Sequence, residues 1–345
     1  MTSEAGSPAA AGFAMPPEWA LHERTLMAWP CRRSMWREQL EPAREQYAGV
    51  ANAIAAFEPV TMVCASPADA DQARGALTAG VDVVELPIDD SWLRDSGPIF
   101  VLDDTGRRAG VHFGFNAWGQ KFTPWDKDAA VGARLVELVG DPLYRSPLVL
   151  EGGSLTVDGT GRLVTTEQCL RHPSRNPSLD AEQIAAALCA ALGVREVIWL
   201  GRGLVEDRDT DGHVDLIAAF TAPGTLLLQS CSPGDPNHEA MVENAARAEA
   251  AGLDVVDFPL LARPTVGGEE IAASYLNFTI VNGGVVVPLA GMATDAEALE
   301  RIADAIPSHA VVGVRGEVIA WGGGGPHCIT QQVPAAGRPG AQAPA

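Results

Sequence analysis

Runs with strand character outnumber helical runs by about two to one, and they are spread along the whole chain. Segments such as "PVTMVCA", "VDVVELPI", "GPIFVLD", "RLVTTEQ", "EVIWL", "VDLIAAF", "TLLLQS", "LDVVDFPL" and "AVVGVRG" are short and rich in β-branched or aromatic residues. Apolar residues at helical spacing occur over 40–57, 69–77, 128–140, 178–193, 236–252 and 295–306, with Ser178 and Asp295 as expected caps. A doubly wound sheet would alternate strand and helix nearly one to one and open on a glycine fingerprint. No GxGxxG follows a strand here, and no P-loop sequence occurs. The spacing instead predicts an α/β fold of about five units, each a helix with a small group of strands. No linker long enough to divide the chain is visible, so a single domain is expected over 15–334.

The composition narrows the partners. Of 345 residues, 47% are hydrophobic and 20% charged, the balance of a globular protein with a large core. A formal net charge of −20 argues against nucleic acid or an anionic membrane surface. It suits a small cationic substrate, though acidity that serves only solubility gives the same number. No apolar run approaches the roughly 20 residues that span a bilayer. Residues 1–14 read as a disordered lead-in and 335–345 as a disordered tail. The six cysteines are scattered and form no CxxC, so neither a disulfide framework nor a cysteine zinc site is expected. A reducing cytoplasm is the default, and homo-oligomerisation is left open by the sequence.

Four stretches gather acids, His and Cys. In "DDSWLRDSGPIF", Asp95 sits in a polar turn between strand-like runs; the alternative is a turn residue capping its own backbone. In "LVLEGGSLTVDG", Glu151 ends an apolar run before Gly-Gly, where backbone can approach a ligand, or where a hairpin simply turns. The acidic run "EDRDTDGHVD" resembles a calcium loop at Asp207, Asp209, Asp211 and Gly212, but the twelfth position is Ala218 and no helix pattern follows. Within it His213 and Asp215 are two apart, so a strand starting here would project both to one face. A solvated acidic loop is the alternative. In "IAWGGGGPHCITQQ", Cys328 follows a glycine run rather than lying inside an apolar one. A cysteine nucleophile needs an accessible, electropositive niche that favours thiolate.

Acids near a thiol oppose thiolate formation. Their presence makes sense only where the substrate supplies positive charge. A guanidinium does so: planar, permanently cationic and matched to carboxylates by paired hydrogen bonds.

With these motifs in place, the sequence resembles the agmatine deiminase family of the guanidine-modifying (pentein) superfamily from about residue 15 to 334. The resemblance rests on "MPPEWALHERTLMAWP", "DDSWLRDSGP", "FNAWG", "LEGGSLTVDG", "DTDGHVD", "ASYLNFTIVNGG" and "HCITQQ", in that order. It implies a five-bladed α/β propeller with pseudo-fivefold symmetry. It also implies hydrolysis of agmatine to N-carbamoylputrescine and ammonia, with no metal and no organic cofactor. Carried over by motif, Cys328 is the nucleophile and His213 the general acid/base. Asp95 and Asp215 hold the guanidinium, and Glu151 binds the same group or assists His213. Trp92, Trp118 and Asn277 are implied pocket residues.

Gly325 and Pro326 depart from the Asn and aliphatic residue usual before "HCITQQ", and Leu216 from the Asn usual after "DTDGHVD". Both departures flank expected catalytic positions. Deimination of arginine or peptidyl-arginine is the closest rival. A guanidine-binding protein without catalysis, or a metal hydrolase, stands further off.

Overall fold

The computed structural model describes residues 6–337 of the chain. Five of its sheets repeat one plan: an antiparallel hairpin, then a helix that carries the chain back to lay a strand parallel to the hairpin's second strand. Thr279–Val281 and Gly284–Leu289 form one hairpin, helix Asp295–Ala305 follows, and Ala310–Arg315 returns parallel. The same order holds for Ala218–Ala222, Thr225–Gln229, helix His238–Ala250 and Asp254–Phe258. It holds again for Leu155–Val157, Arg162–Thr166, helix Ala181–Leu192 and Glu196–Leu200. A fourth unit comprises Ile99–Asp103, Arg108–Gly114, helix Asp128–Val139 and Leu143–Val149. The fifth joins the two ends of the chain, because Thr330–Pro334 pairs antiparallel with His22–Ala28. Helix Leu40–Ile54 then leads to Val60–Cys64, parallel to His22–Ala28, and helix Pro67–Ala76 adds Val81–Glu85.

A parallel pair needs a crossover, and a helix is the usual one. Three strands to one helix in the shared plan is therefore the physical source of the strand excess. Each helix turns one stripe onto its sheet. Leu40–Ile54 buries Leu40, Ala43, Tyr47, Val50, Ala51 and Ile54 at three- and four-residue spacing. Each large apolar side chain so buried contributes roughly 1.5–3 kcal/mol.

Several expectations need correction. Helix Ala181–Leu192 is capped by Asp180, not Ser178: the Asp180 carboxylate accepts from the Gln183 amide while the Gln183 side chain reaches back to the Asp180 amide. Asp295 lies inside its helix, one residue past the cap position Thr294, and its carboxylate accepts from the Ala290, Gly291 and Met292 amides. The strand expected from residue 214 starts at Ala218, and Val214–Leu216 is a 3-10 turn. The same-face argument for His213 and Asp215 therefore fails, although the turn still brings both inward.

The lead-in is ordered from residue 6: Ala9–Ala11 is a 3-10 turn, and Phe13–Ala14 pairs with Ile99–Asp103. Phe13 is buried in that unit's core, which outweighs the weak propensity of its neighbours. In the expected tail, the Ala335 and Gly337 amides donate to the carbonyls of Leu21 and Gly106. Residues 1–5 and 338–345 lie outside the described residues. Among the described residues, no helix is long and apolar enough to cross a membrane.

Candidate active site

Every unit supplies polar residues from the same place, the segment just before the first strand of its hairpin. Asp95 precedes Ile99–Asp103, Glu151 precedes Leu155–Val157, and His213 with Asp215 precede Ala218–Ala222. Asn277 precedes Thr279–Val281, and Cys328 precedes Thr330–Pro334. All six are buried, with Glu151 and His213 fully so.

The Sγ of Cys328 lies 3.4 Å from Oδ2 of Asp215. The two ring nitrogens of His213 face two different acids: Nδ1 is 3.9 Å from Asp95 Oδ1, and Nε2 is 3.8 Å from Glu151 Oε2. These separations exceed hydrogen-bond length, so the attraction is one of charge. Gly153 is what lets the group close up. A Cβ there would sit 2.7 Å from both Asp215 Oδ2 and His213 Nδ1 and 2.9 Å from Asp95 Oδ1. Gly324 does the same beside the sulfur, where a Cβ would lie 2.7 Å from Cys328 Sγ.

Asp95 accepts from the Gly153 amide at 3.0 Å and from the Trp118 indole at 2.9 Å. Trp118 is held for that contact by a strained turn in which Ala117, Trp118 and Gln120 all take positive φ. Trp92 stacks on Trp36 with ring centroids 5.6 Å apart. Trp92, Asp95, Trp118, Phe122, Asp209 and Cys328 line a narrow cleft. Asn277 is not among the residues lining it: its Oδ1 accepts from the Cys328 amide, and its Nδ2 donates to the Asp215 carbonyl. Asn277 thereby clamps the Cys328 and Asp215 segments together.

The charges are strongly coupled. Burial pushes the Cys328 thiol well above its usual range, and Asp215 and Asp95 push it further. The sulfur is buried and faces carboxylates, the arrangement expected of a thiol set among acids. Burial raises Asp95 to about 6 against the pull of His213, with Asp215 and Glu151 adding to the rise. Burial disfavours the charged form of His213, yet Asp95, Cys169 and Glu151 together hold it well above an ordinary imidazole. Glu151 and Asp215 are also desolvated, but both stay low: His213 and Arg175 hold Glu151 down, and His327 with His213 holds Asp215 down.

Four buried polar atoms at the centre have no hydrogen-bond partner: Asp215 Oδ1, Glu151 Oε2 and both ring nitrogens of His213. Buried polar atoms are rarely left so. Acceptors and a proton donor around a thiol suit a planar cation with N–H groups in its plane.

A family model described as Porphyromonas-type peptidyl-arginine deiminase matches residues 14–334. The chain belongs to the Porphyromonas-type peptidyl-arginine deiminase family. It is 42% identical to a protein named agmatine deiminase from Stutzerimonas stutzeri, over 97% of this chain and 99% of that one. It is similar in structure to the agmatine deiminase of Enterococcus faecalis, with TM-score 0.91, 36% identity, and 96% and 99% of the two chains covered. A C. jejuni agmatine deiminase with substrate bound matches with TM-score 0.88 and 27% identity, over 94% of this chain and 97% of that one. The mixed α/β architecture is thus that of its Porphyromonas-type family and of these neighbours.

This member of the family also carries supporting residues that sequence reasoning missed. His327 Nδ1 is 2.8 Å from Asp215 Oδ2, and its Nε2 is 3.4 Å from Glu18 Oε2. Burial disfavours charge on both partners, but their pairing raises His327 and, with Arg94, lowers Glu18 to about 2. Arg175, with a fully buried side chain, donates to Glu151 Oε1 at 2.7 Å and Asp211 Oδ2 at 2.9 Å. It thereby ties Glu151 to the loop that carries His213. His327 could have been suspected from its place beside Cys328; Arg175 and Glu18 offer no local signal.

Proposed function

We propose that this chain hydrolyses the guanidinium of agmatine to N-carbamoylputrescine and ammonia through a covalent adduct on Cys328. The observation that carries this reading is the cage itself: a thiol 3.4 Å from one carboxylate, with unpartnered acceptor oxygens on Asp215 and Glu151 beside it. The relatives named agmatine deiminase support the choice of substrate.

Asp95 and Asp215 hold the guanidinium nitrogens and fix its plane, which lowers the entropic barrier to attack. The bound cation offsets the two acids that keep the Cys328 thiol protonated, so the proton is released and the thiolate adds to the central carbon. Protonated His213 gives its proton to one nitrogen, the C–N bond breaks, and ammonia leaves a thiouronium on sulfur. Neutral His213 then takes a proton from water as the oxygen attacks the same carbon. The C–S bond breaks, releasing the ureido product and the thiolate. Glu151, steadied by Arg175, stabilises the imidazolium in both halves.

The rim favours an amine over a carboxylate at the far end of the substrate. Among the described residues, the cleft is lined by Asp95 and Asp209 and by no Lys or Arg. Trp92 and Trp118 would flank the apolar stem. In our reading the five units are the blades of one α/β propeller spanning 15–334, acting without a cofactor. Six free cysteines, none in a disulfide, fit a reducing cytoplasm. The test is kcat/KM for agmatine, arginine and a peptidyl-arginine side by side. Agmatine should lead; a preference for either rival would overturn the substrate assignment.

A further inference from the structure

Cys169 touches no reacting atom in the reaction just described, yet it stands beside His213 and supports its charge. Its sulfur, a His213 nitrogen and a Glu151 oxygen lie within 4.8 Å of one another, and all three residues are buried. Cys169 sits on the short helical turn Glu167–Leu170, fixed by the Thr166 side chain accepting from the Cys169 amide. His213 Nε2 and Glu151 Oε2 are 3.8 Å apart, and neither atom has a hydrogen-bond partner. At the about 2.0–2.1 Å that zinc keeps from imidazole and carboxylate, a tetrahedral ion sets two such donors about 3.4 Å apart, so a shift of a few tenths of an ångström would seat it. One thiolate, one imidazole and one carboxylate form a donor set that selects a borderline-soft dication over magnesium or calcium. Asp95 and Asp215 add negative charge that favours a cation there, against which Arg175, already paired with Glu151, acts.

We propose that Glu151, Cys169 and His213 form an inhibitory site for a divalent zinc-class cation, distinct from the thiol that carries the reaction. Binding displaces the protons of Cys169 and His213 and forms bonds from their sulfur and nitrogen, and from Glu151 Oε2, to the metal. His213 then has no proton to give. The metal and the guanidinium both claim His213 and the unpartnered Glu151 oxygen, so agmatine and metal exclude each other, and a chelator raises activity instead of lowering it. The inhibitory consequence rests on the proposed function; the binding itself does not.

Two measurements on the full chain test this. With zinc chloride added to chelator-treated protein, ammonia release should fall, agmatine should protect, and Cys169→Ser should raise the inhibitory concentration at least about tenfold, each protein being read against its own zinc-free rate. Unaltered inhibition in Cys169→Ser would overturn the site. Binding is read without activity by loading cobalt(II) into Cys328→Ala, where Cys169 is the thiol left at the centre. A thiolate-to-cobalt absorbance that vanishes in Cys169→Ser/Cys328→Ala supports the proposal. Its absence from Cys328→Ala would overturn it, whatever the enzyme assay gives.

Discussion

His327 Nδ1 lies 2.8 Å from Asp215 Oδ2, so one oxygen of that carboxylate is occupied and Oδ1 is left free for a substrate N–H. The same Oδ2 takes the Cys328 sulfur at 3.4 Å. His327 thus fixes which edge of Asp215 each partner meets, and Glu18 on its far side keeps it charged.

Replacing His327 with Phe should lower kcat/KM about 10- to 150-fold, the worth of one charge-assisted hydrogen bond of about 1.5–3 kcal/mol. His327→Asn, which can still donate, should recover part of the loss. Glu18→Gln removes the charge that raises His327. Its alkaline limb should therefore move to lower pH, because the imidazolium is lost sooner. A pH–rate profile with an unmoved limb would contradict that role.

Asp95 must be ionised to hold a cation, and its carboxyl is raised to about 6. Protonation as pH falls through that value removes the charge. The kcat/KM profile for agmatine should then bend downward below about pH 6, by about tenfold per unit. A plateau extending to pH 4 would exclude Asp95 from binding the substrate in its ionised form.

Arg175 and Glu151 form a pair with no solvent exposure of either side chain. Removing one partner leaves the other charge uncompensated, at a cost of about 3–5 kcal/mol. Arg175→Met should show that loss in urea unfolding. Its kcat should fall together with the stability, because Glu151 loses the bond that orients it toward His213. Unfolding indistinguishable from the parent protein would mean the pair is not maintained.

The candidate site residues stood out in the sequence because each sits where a turn meets an apolar strand. Asp95 before Ser-Gly-Pro, Glu151 before Gly-Gly and Cys328 after four glycines all break a pattern that packing alone would continue. The supporting residues broke no pattern. Arg175 meets Glu151 from 24 positions away, and Glu18 meets the Ile280 amide from 262 positions away. Partners so distant leave no spacing to read. The five units were legible from strand and helix counts, whereas the pairing of His22–Ala28 with Thr330–Pro334 required the fold. His213 and Asp215 were read correctly as neighbours for the wrong reason, since a 3-10 turn and not a strand presents them.

Burial, Asp215 and Asp95 push the Cys328 thiol well above its usual range, and a bound cation should lower it. Chloroacetamidine should therefore inactivate the protein faster than neutral chloroacetamide, by at least about tenfold after correction for their rates with free cysteine. Equal corrected rates would mean that substrate charge does not help make the thiolate.

The most direct measurement is rapid acid quench of the protein during turnover of agmatine, followed by mass spectrometry of the peptide containing residue 328. The expected result is an added mass of agmatine less ammonia on Cys328, absent from Cys328→Ala, which should still bind agmatine but release no ammonia. An adduct on another residue, or ammonia release by Cys328→Ala near the parent rate, would contradict the account.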